Sequence, residues 1–234
     1  RIDADYVFVC AGPTQTPALL RKSGIKEHIG DTFQIHPMLK VSAVFDEDID
    51  AHKSVMPLLQ VKEFWPDISL GGSFFSVGHL AINLADNWLT TSDVIKNYRR
   101  MASYYVGVRG TGAGTVRASL TGDGEATLKY ELSDVDIRHL SQGLARLSTL
   151  LLAAGAREVY PCVFGLPKIT SELNAVRWLD ESLPRNGIVA GEARFRRELL
   201  RCDVAAQHGG DSLRQRPHVH RLDAETTGIL LLGK

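Results

Sequence analysis

The stretch Tyr6-Val7-Phe8-Val9-Cys10-Ala11-Gly12-Pro13-Thr14-Gln15-Thr16-Pro17-Ala18-Leu19-Leu20-Arg21-Lys22-Ser23-Gly24-Ile25 decides the fold class. Its first five residues are a short continuous apolar run, the pattern of a strand buried on both faces. Ala11-Gly12-Pro13 breaks that run. Thr16 then suits the N-cap of a helix, Pro17 its first turn and Gly24 the position just past its end, with Ala18 to Lys22 as the helical body. Strand, turn and helix in this order read as an α/β unit. A small residue and a glycine after the strand let the backbone approach a flat molecule closely, because no Cβ stands in the way. The amides at the start of the helix can face an anion. A plain strand–helix turn asks for the same residues, so the residues alone leave both readings open.

Working outward, the character changes after His36-Pro37. Leu39 to Phe45 alternates like a strand with one wet face. Residues 68–84 form a glycine-punctuated apolar stretch that predicts several strands. From Ser92 to Tyr105, Val94, Ile95, Tyr98, Met101, Ala102 and Tyr105 fall at helical spacing, with Ser92 as the cap. Two strands are predicted at Gly114 to Leu120 and Ala126 to Leu132, joined by the turn sequence Thr121-Gly122-Asp123-Gly124. Ser133 with Asp136 makes a capping pair for the clearest helix, whose stripe is Ile137, Leu140, Leu144, Leu147 and Leu151 and whose end is Gly155.

Composition narrows the class further. Apolar residues make up 44% and charged residues 23%, an ordinary globular balance, and 27 basic side chains offset 27 acidic ones. Nothing in that charge recruits nucleic acid or a membrane surface. No apolar run reaches the roughly 20 residues needed to span a bilayer. The three cysteines, Cys10, Cys162 and Cys202, are widely spaced and odd in number, which argues for a reducing compartment, expected to be the cytoplasm. The chain starts at Arg1 without a methionine and its first residues already read as a strand, so an upstream portion is expected.

Asp3-Ala4-Asp5-Tyr6-Val7-Phe8-Val9-Cys10-Ala11-Gly12, followed by Gln15-Thr16-Pro17 and Ser23-Gly24-Ile25, resembles the glucose–methanol–choline (GMC) oxidoreductases. In that family a strand ending in Ala-Gly returns to the flavin domain, and a Ser- or Thr-Pro helix leads to Ser-Gly-Ile/Val. Ile29-Gly30-Asp31 to His36-Pro37 is similar to the stretch that carries the family's chain out of the flavin domain. The resemblance covers residues 1 to about 184. It implies an α/β (α+β) architecture: a remnant of the FAD-binding domain at 1–35, then a substrate-binding domain at 36–184 built as an antiparallel sheet backed by helices. It also implies FAD as cofactor, a small-molecule alcohol as substrate and hydride transfer between them. Ala11, Gly12, Thr16 and Pro17 are the cofactor-binding residues so implied. Gln60 to Phe64 and Leu80 to Trp88 point to the subgroup acting on long-chain alcohols and sterols.

Two departures from the family pattern stand beside these matches. The Gly-x-Gly-x-x-Gly turn that holds the flavin diphosphate is absent; Gly110-Thr111-Gly112-Ala113-Gly114 has strands on both sides and reads as a hairpin or bulge. The family's catalytic histidine segments are absent too. His36 lies too early to be that base, and His79 reads as a sheet residue. The chain is therefore expected to lack an oxidase base and to be inactive alone.

Past Leu183-Pro184-Arg185 the composition shifts, and eight of the nine basic residues are arginine. Residues 185–234 read as a tail of uncertain origin. Val219-His220-Arg221-Leu222-Asp223, with Thr226-Thr227-Gly228, resembles the catalytic motif of pseudouridine synthases, which would make Asp223 the catalytic residue and Arg221 its partner. A junction of two coding pieces, a shifted frame and a bifunctional protein are the three readings of this tail. Cys202, His208, His218 and His220 match no closed zinc spacing, so no metal is expected. Arg194, Arg196, Arg197 and Arg201 read as a solvated face, or as an RNA patch under the synthase alternative. A non-catalytic substrate-binding module is the other alternative.

Overall fold

The computed structural model describes residues 3–55, 57–119, 126–185 and 188, and the backbone of Leu230–Gly233. The elements are β1 (Tyr6–Val9), α1 (Gly12–Lys22), β2 (Met38–Phe45), β3 (Gln60–Val61), β4 (Ile68–Gly72), α2 (Val77–Leu84), α3 (Trp88–Thr91), β5 (Met101–Val108), β6 (Thr115–Ala118), β7 (Ala126–Lys129), α4 (Asp134–Ala153), β8 (Ala156–Pro161), α5 (Glu172–Val176) and β9 (Leu230–Gly233). They form an α+β fold of antiparallel sheets and helices, divided into two compact units. The first takes in residues 1–35, 112–131 and 210–234; the second takes in 36–111 and 132–209. The first unit thus includes residues 112–131, from within the span expected to belong to the substrate domain.

In the first unit β1 pairs antiparallel with β9, Tyr6 opposite Gly233 and Val9 opposite Leu230. The strand was expected to be buried on both faces, yet Tyr6, Val7 and Phe8 are exposed and only Val9 is buried. A two-stranded ladder explains the difference, since among the described residues no layer covers both of its faces. The helix also departs from expectation. It begins at Gly12 rather than after Thr16, with Ala11 as N-cap, Pro13 in its first turn and Pro17 inside it. A proline disfavours helical geometry at the residue before it, which made Thr16 look like a boundary; here the helix runs through. Its end is as expected: Ile25 donates to the Leu20 carbonyl and Gly24 to the Arg21 carbonyl, the paired bonds of a Schellman stop. Hairpin β6–β7 pairs Thr115 with Lys129 and Ala118 with Ala126; its turn lies outside the described residues. Reciprocal backbone bonds join Phe33 to Gly114 at 2.9 and 2.7 Å, and the segment from Gly110 to Gly114 runs between two strands with no helix after it.

The second unit is a five-stranded sheet in the order β3-β4-β5-β2-β8, with every neighbouring pair antiparallel. One face is covered by α4. Ser133 and Asp136 form a full capping box, and Ile137, Leu140, Leu144, Leu147 and Leu151 are all buried, each stabilising the unit by about 1.5–3 kcal/mol on burial. Leu39, Val41 and Ala43 of β2 share that face with Val106 and Val108 of β5, given the ladder Val41–Tyr104 and Leu39–Val106 and the alternation of side chains.

The other face was expected to be wet at β2, yet Val41, Ser42, Ala43 and Val44 are all buried. β2 lies between β5 and β8, and elements pack over both of its sides. Val44, Met101 and Tyr160 join Phe75, Leu80 and Leu84 in one apolar cluster, with Val94, Ile95 and Tyr98 packed against it. The helix expected from Ser92 to Tyr105 ends at Arg100 as a 3-10 segment, and the strand begins at Met101. Residues 101–105 fit both periods, and pairing with β2 and β4 on either side selects the strand. Residues 68–84 likewise hold one strand and one helix rather than several strands, because Ser76 caps α2 by accepting from the His79 backbone at 3.2 Å.

Candidate functional site

The turn between β1 and α1 is built from the residues that the sequence singled out. Gly12 takes φ +76°, and a Cβ placed there would meet nothing within 4 Å. Ala11 donates its backbone N–H to Thr16 Oγ1 at 3.1 Å, so Thr16 locks the turn from one helical turn onward rather than capping the helix. No side chain caps the first turn and no acidic residue stands in it. The positive end of α1 therefore opens beside a glycine that leaves room for a ligand. Ala11, Gly12 and Thr16 come together here; Pro17 sits deeper in the helix, next to the buried Ala18.

In the second unit, the sheet face opposite α4 carries an array of polar groups that the sequence reading did not anticipate. Alternation places Lys40 and Ser42 of β2, Ser103 and Tyr105 of β5, and Ser69 of β4 on this face. Lys40 stretches across β5 to donate to Ser73 Oγ at 2.7 Å, and its ammonium lies 5.8 Å from the Tyr105 ring centroid. Gln60 donates to the Tyr105 hydroxyl. Ser42 and Ser103 share a hydrogen bond at 3.3 Å, and Asn83 of α2 donates to Ser103 at 3.2 Å. His36 reaches the same face: its Nε2 lies 3.1 Å, and Ser69 Oγ 3.2 Å, from where a Gly107 Cβ would stand.

Burial sets the electrostatics of this face. Loss of solvent lowers the Lys40 ammonium below its ordinary value, against the pull of the Cys162 thiol. Burial pushes Cys162 up to about 12, despite the Ser42 hydroxyl and Lys40 beside it, so the thiol is neutral at pH 7 and a poor nucleophile. At the sheet edge, burial and then the Glu158 carboxylate raise the Tyr160 hydroxyl, which donates to Glu158 at 2.5 Å. Burial alone would raise Glu158, but hydrogen bonds from Lys168 and Tyr160 outweigh it and hold the carboxyl below its ordinary value.

A cleft of about 450 Å³ opens at the β8 edge, lined among others by Asn83, Asn87, Thr90, Tyr160 and Lys168. Asn87 shapes its floor, donating to the Val163 carbonyl and accepting from the Gly165 N–H, each at 2.8 Å. Asn83 belongs both to this cleft and to the hydroxyl array.

The remaining candidates fall elsewhere. His79 lies on α2 rather than in a sheet, its ring against Phe74 and its Nδ1 2.8 Å from Ser76 Oγ; the apolar run around it is helical because of that cap. Among the described residues no group of three metal-ligating side chains comes together, and no helix is long and apolar enough to cross a membrane. Asp223, Arg221, the four arginines at 194–201 and the set Cys202, His208, His218 and His220 lie outside the described residues.

The sequence is similar to known proteins. Residues 1–38, which include the whole β1–α1 turn, match the family model described as GMC oxidoreductase. The chain is 43% identical over 165 residues to an uncharacterized GMC-type oxidoreductase of Sinorhizobium fredii, a match that covers 70% of this chain and 32% of that protein. It is 32% identical over 180 residues to an uncharacterized GMC-type oxidoreductase of Mycobacterium tuberculosis, covering 72% of this chain and 27% of the relative. A long-chain-alcohol oxidase of Arabidopsis thaliana is 29% identical over 173 residues, covering 68% of this chain and 22% of the relative. The chain belongs to the GMC oxidoreductase family, and it spans about a third or less of the length of these curated relatives.

Proposed function

We propose that the chain serves the flavin-dependent oxidation of an alcohol, in which the carbinol hydride passes to FAD and the hydroxyl proton to a base. The first unit carries the turn suited to a cofactor edge. The observation that carries this reading is the open, positive-φ Gly12 at the N-terminus of α1, inside the stretch that matches the family model. A flat ring system or a diphosphate approaches backbone most closely where no Cβ intervenes and where unpaired helix amides offer donors. Ala11 and Gly12 would meet the cofactor there, and Thr16 would hold the turn. FAD, when bound, supplies the hydride acceptor, which no side chain can replace.

The protein's share is positioning and polarisation. None of the residues assigned to the turn or the sheet is the proton acceptor of the reaction. The similarity to long-chain-alcohol oxidases supports an alcohol as the substrate class.

Gly12→Asn tests the reading in the full protein that carries this chain. Asparagine tolerates a left-handed backbone, so the turn keeps its path while a side chain enters the open space. The expected result is bound FAD, seen by its visible absorbance, in the wild type and a severalfold lower FAD occupancy in the variant with unchanged circular dichroism. A wild-type protein that purifies and refolds without affinity for FAD, or a variant that retains full occupancy, defeats the proposal.

A further inference from the structure

The half-buried Lys40 stands apart from the other lysines of the second unit by its enclosure; Lys62, which likewise holds no carboxylate among the described residues, is exposed and lies over the Trp65 ring. The exposed ammonium groups of Lys53, Lys96 and Lys168 each hold a carboxylate at 2.7 Å, in Asp50, Asp93 and Glu158. Lys40 is more enclosed, yet among the described residues it pairs with no carboxylate and is met by the Ser73 hydroxyl and the Tyr105 ring. Glu158, the carboxylate that alternation puts on the same face, is committed to Lys168 and Tyr160. An ammonium has three donors and no acceptor, and one is used on Ser73.

A charge withdrawn from water without a partner is costly, and the usual remedy is a counter-charge. Burial indeed lowers the Lys40 ammonium. On the same sheet face Ser42 and Ser103 are buried and bonded to each other, and Asn83 donates to Ser103. A plain alkyl chain laid against Lys40 would strip water from an ammonium that holds one hydroxyl and one ring but no carboxylate among the described residues, a penalty that polar sites use to reject apolar analogues.

We propose that Lys40 is a specificity-determining residue that binds the carboxylate of a hydroxy-acid substrate laid on the polar face of the sheet. The proposal rests on the reading of the protein as an alcohol oxidoreductase. Under it, the ammonium keeps Ser73 as an orienting acceptor and turns a free N–H toward the carboxylate. Lys40 takes no part in the redox step.

The experiment compares 6-hydroxyhexanoate with the neutral 1,6-hexanediol in the full, FAD-loaded protein, by anaerobic bleaching of the flavin and by calorimetric titration. The wild type is expected to favour the hydroxy acid. Lys40→Met should lower the ratio of kcat/KM between the two on the order of 10- to 100-fold, the loss expected for a charge-assisted hydrogen bond. Lys40→Arg should restore most of it, and Lys96→Met on the surface should leave the ratio alone. The ratio is read within one preparation, so partial misfolding of a variant does not move it.

A wild type that favours the diol, or a Lys40→Met ratio equal to the wild type's, overturns the proposal. If neither compound bleaches the flavin, the oxidation reading fails. Calorimetry then decides the binding claim on its own: tighter binding of the hydroxy acid that Lys40→Met abolishes upholds it, and equal or absent binding overturns it.

Discussion

Gly143 of α4 stands so near Val106 of β5 that a Cβ on the glycine would lie 2.2 Å from Val106 Cγ1 and 3.3 Å from Ile68 Cγ2. In an isolated helix, glycine to alanine stabilises by roughly 0.5–1 kcal/mol. Here the added methyl must push apart a helix and a sheet already in contact. The β-branched Val106 has little rotamer freedom with which to yield, and overpacking of this kind costs about 1–3 kcal/mol. Gly143→Ala should therefore lower the midpoint of thermal or urea denaturation, against its propensity. A rise in stability would show that α4 sits farther from β5.

The N-terminus of the same helix grades two further substitutions. Ser133→Ala removes one cap, worth about 1 kcal/mol. Asp136 is fully buried and accepts from the Ser133 N–H at 3.1 Å, the Thr111 N–H at 2.8 Å and the Thr111 hydroxyl at 2.9 Å. Asp136→Ala removes the acceptor of three donors, two on the exposed Thr111 and one on the half-buried Ser133, at about 0.5–1.5 kcal/mol each. Chemical denaturation should rank the losses with Asp136→Ala clearly larger than Ser133→Ala. Equal losses would mean that the Thr111 bonds contribute nothing.

The two described cysteines should react very differently with a thiol reagent. Cys10 is exposed, whereas Cys162 is held as a neutral thiol by burial that pushes it up to about 12. At pH 8, mass spectrometry should find Cys10 alkylated first and Cys162 protected until the protein is unfolded. The sign with pH follows. The unfolded thiol ionises near its ordinary value of about 8.5 while the folded one stays protonated. Cys162 therefore contributes stability in full below that value, and loses it as pH rises from there toward 12. Cys162→Ser should flatten the alkaline fall in stability. Fast labelling of the half-buried Cys162 in the native protein would contradict its raised thiol.

How much of this was legible in the sequence depends on how local the signal is. The helix α4 was readable in full because its cap, its stripe and its stop all lie within 22 residues of one another, Ser133 to Gly155. The Gly24 stop of α1 was readable for the same reason. Residues 92–105 were not, since a run that suits both a helix and a strand is decided by partners elsewhere in the chain. The start of α1 is ambiguous locally because Pro13 and Pro17 both suit a first helical turn, and it is Pro13 that opens the helix. For the site, the Ala11–Gly12 turn was found through a family resemblance. The polar face was missed because its bonds, Lys40 with Ser73 and Ser42 with Ser103, join residues 33 and 61 positions apart. The lysine and serine on alternate positions of β2 were the one available hint.

The first unit draws residues 1–35 together with residues 112–131, and Arg117 reaches the Gly30 carbonyl across 87 positions of chain. A ribosome releases the first of these segments well before the second. The apolar side of α1, with Ala18 and Leu20, must wait for Val116 while the strands of the second sheet are still being made. Closing so long a loop is entropically costly before any contact rewards it. Synthesis therefore passes through a stage in which the helix has left the ribosome ahead of its hairpin, and that stage is where a chaperone would have surface to hold.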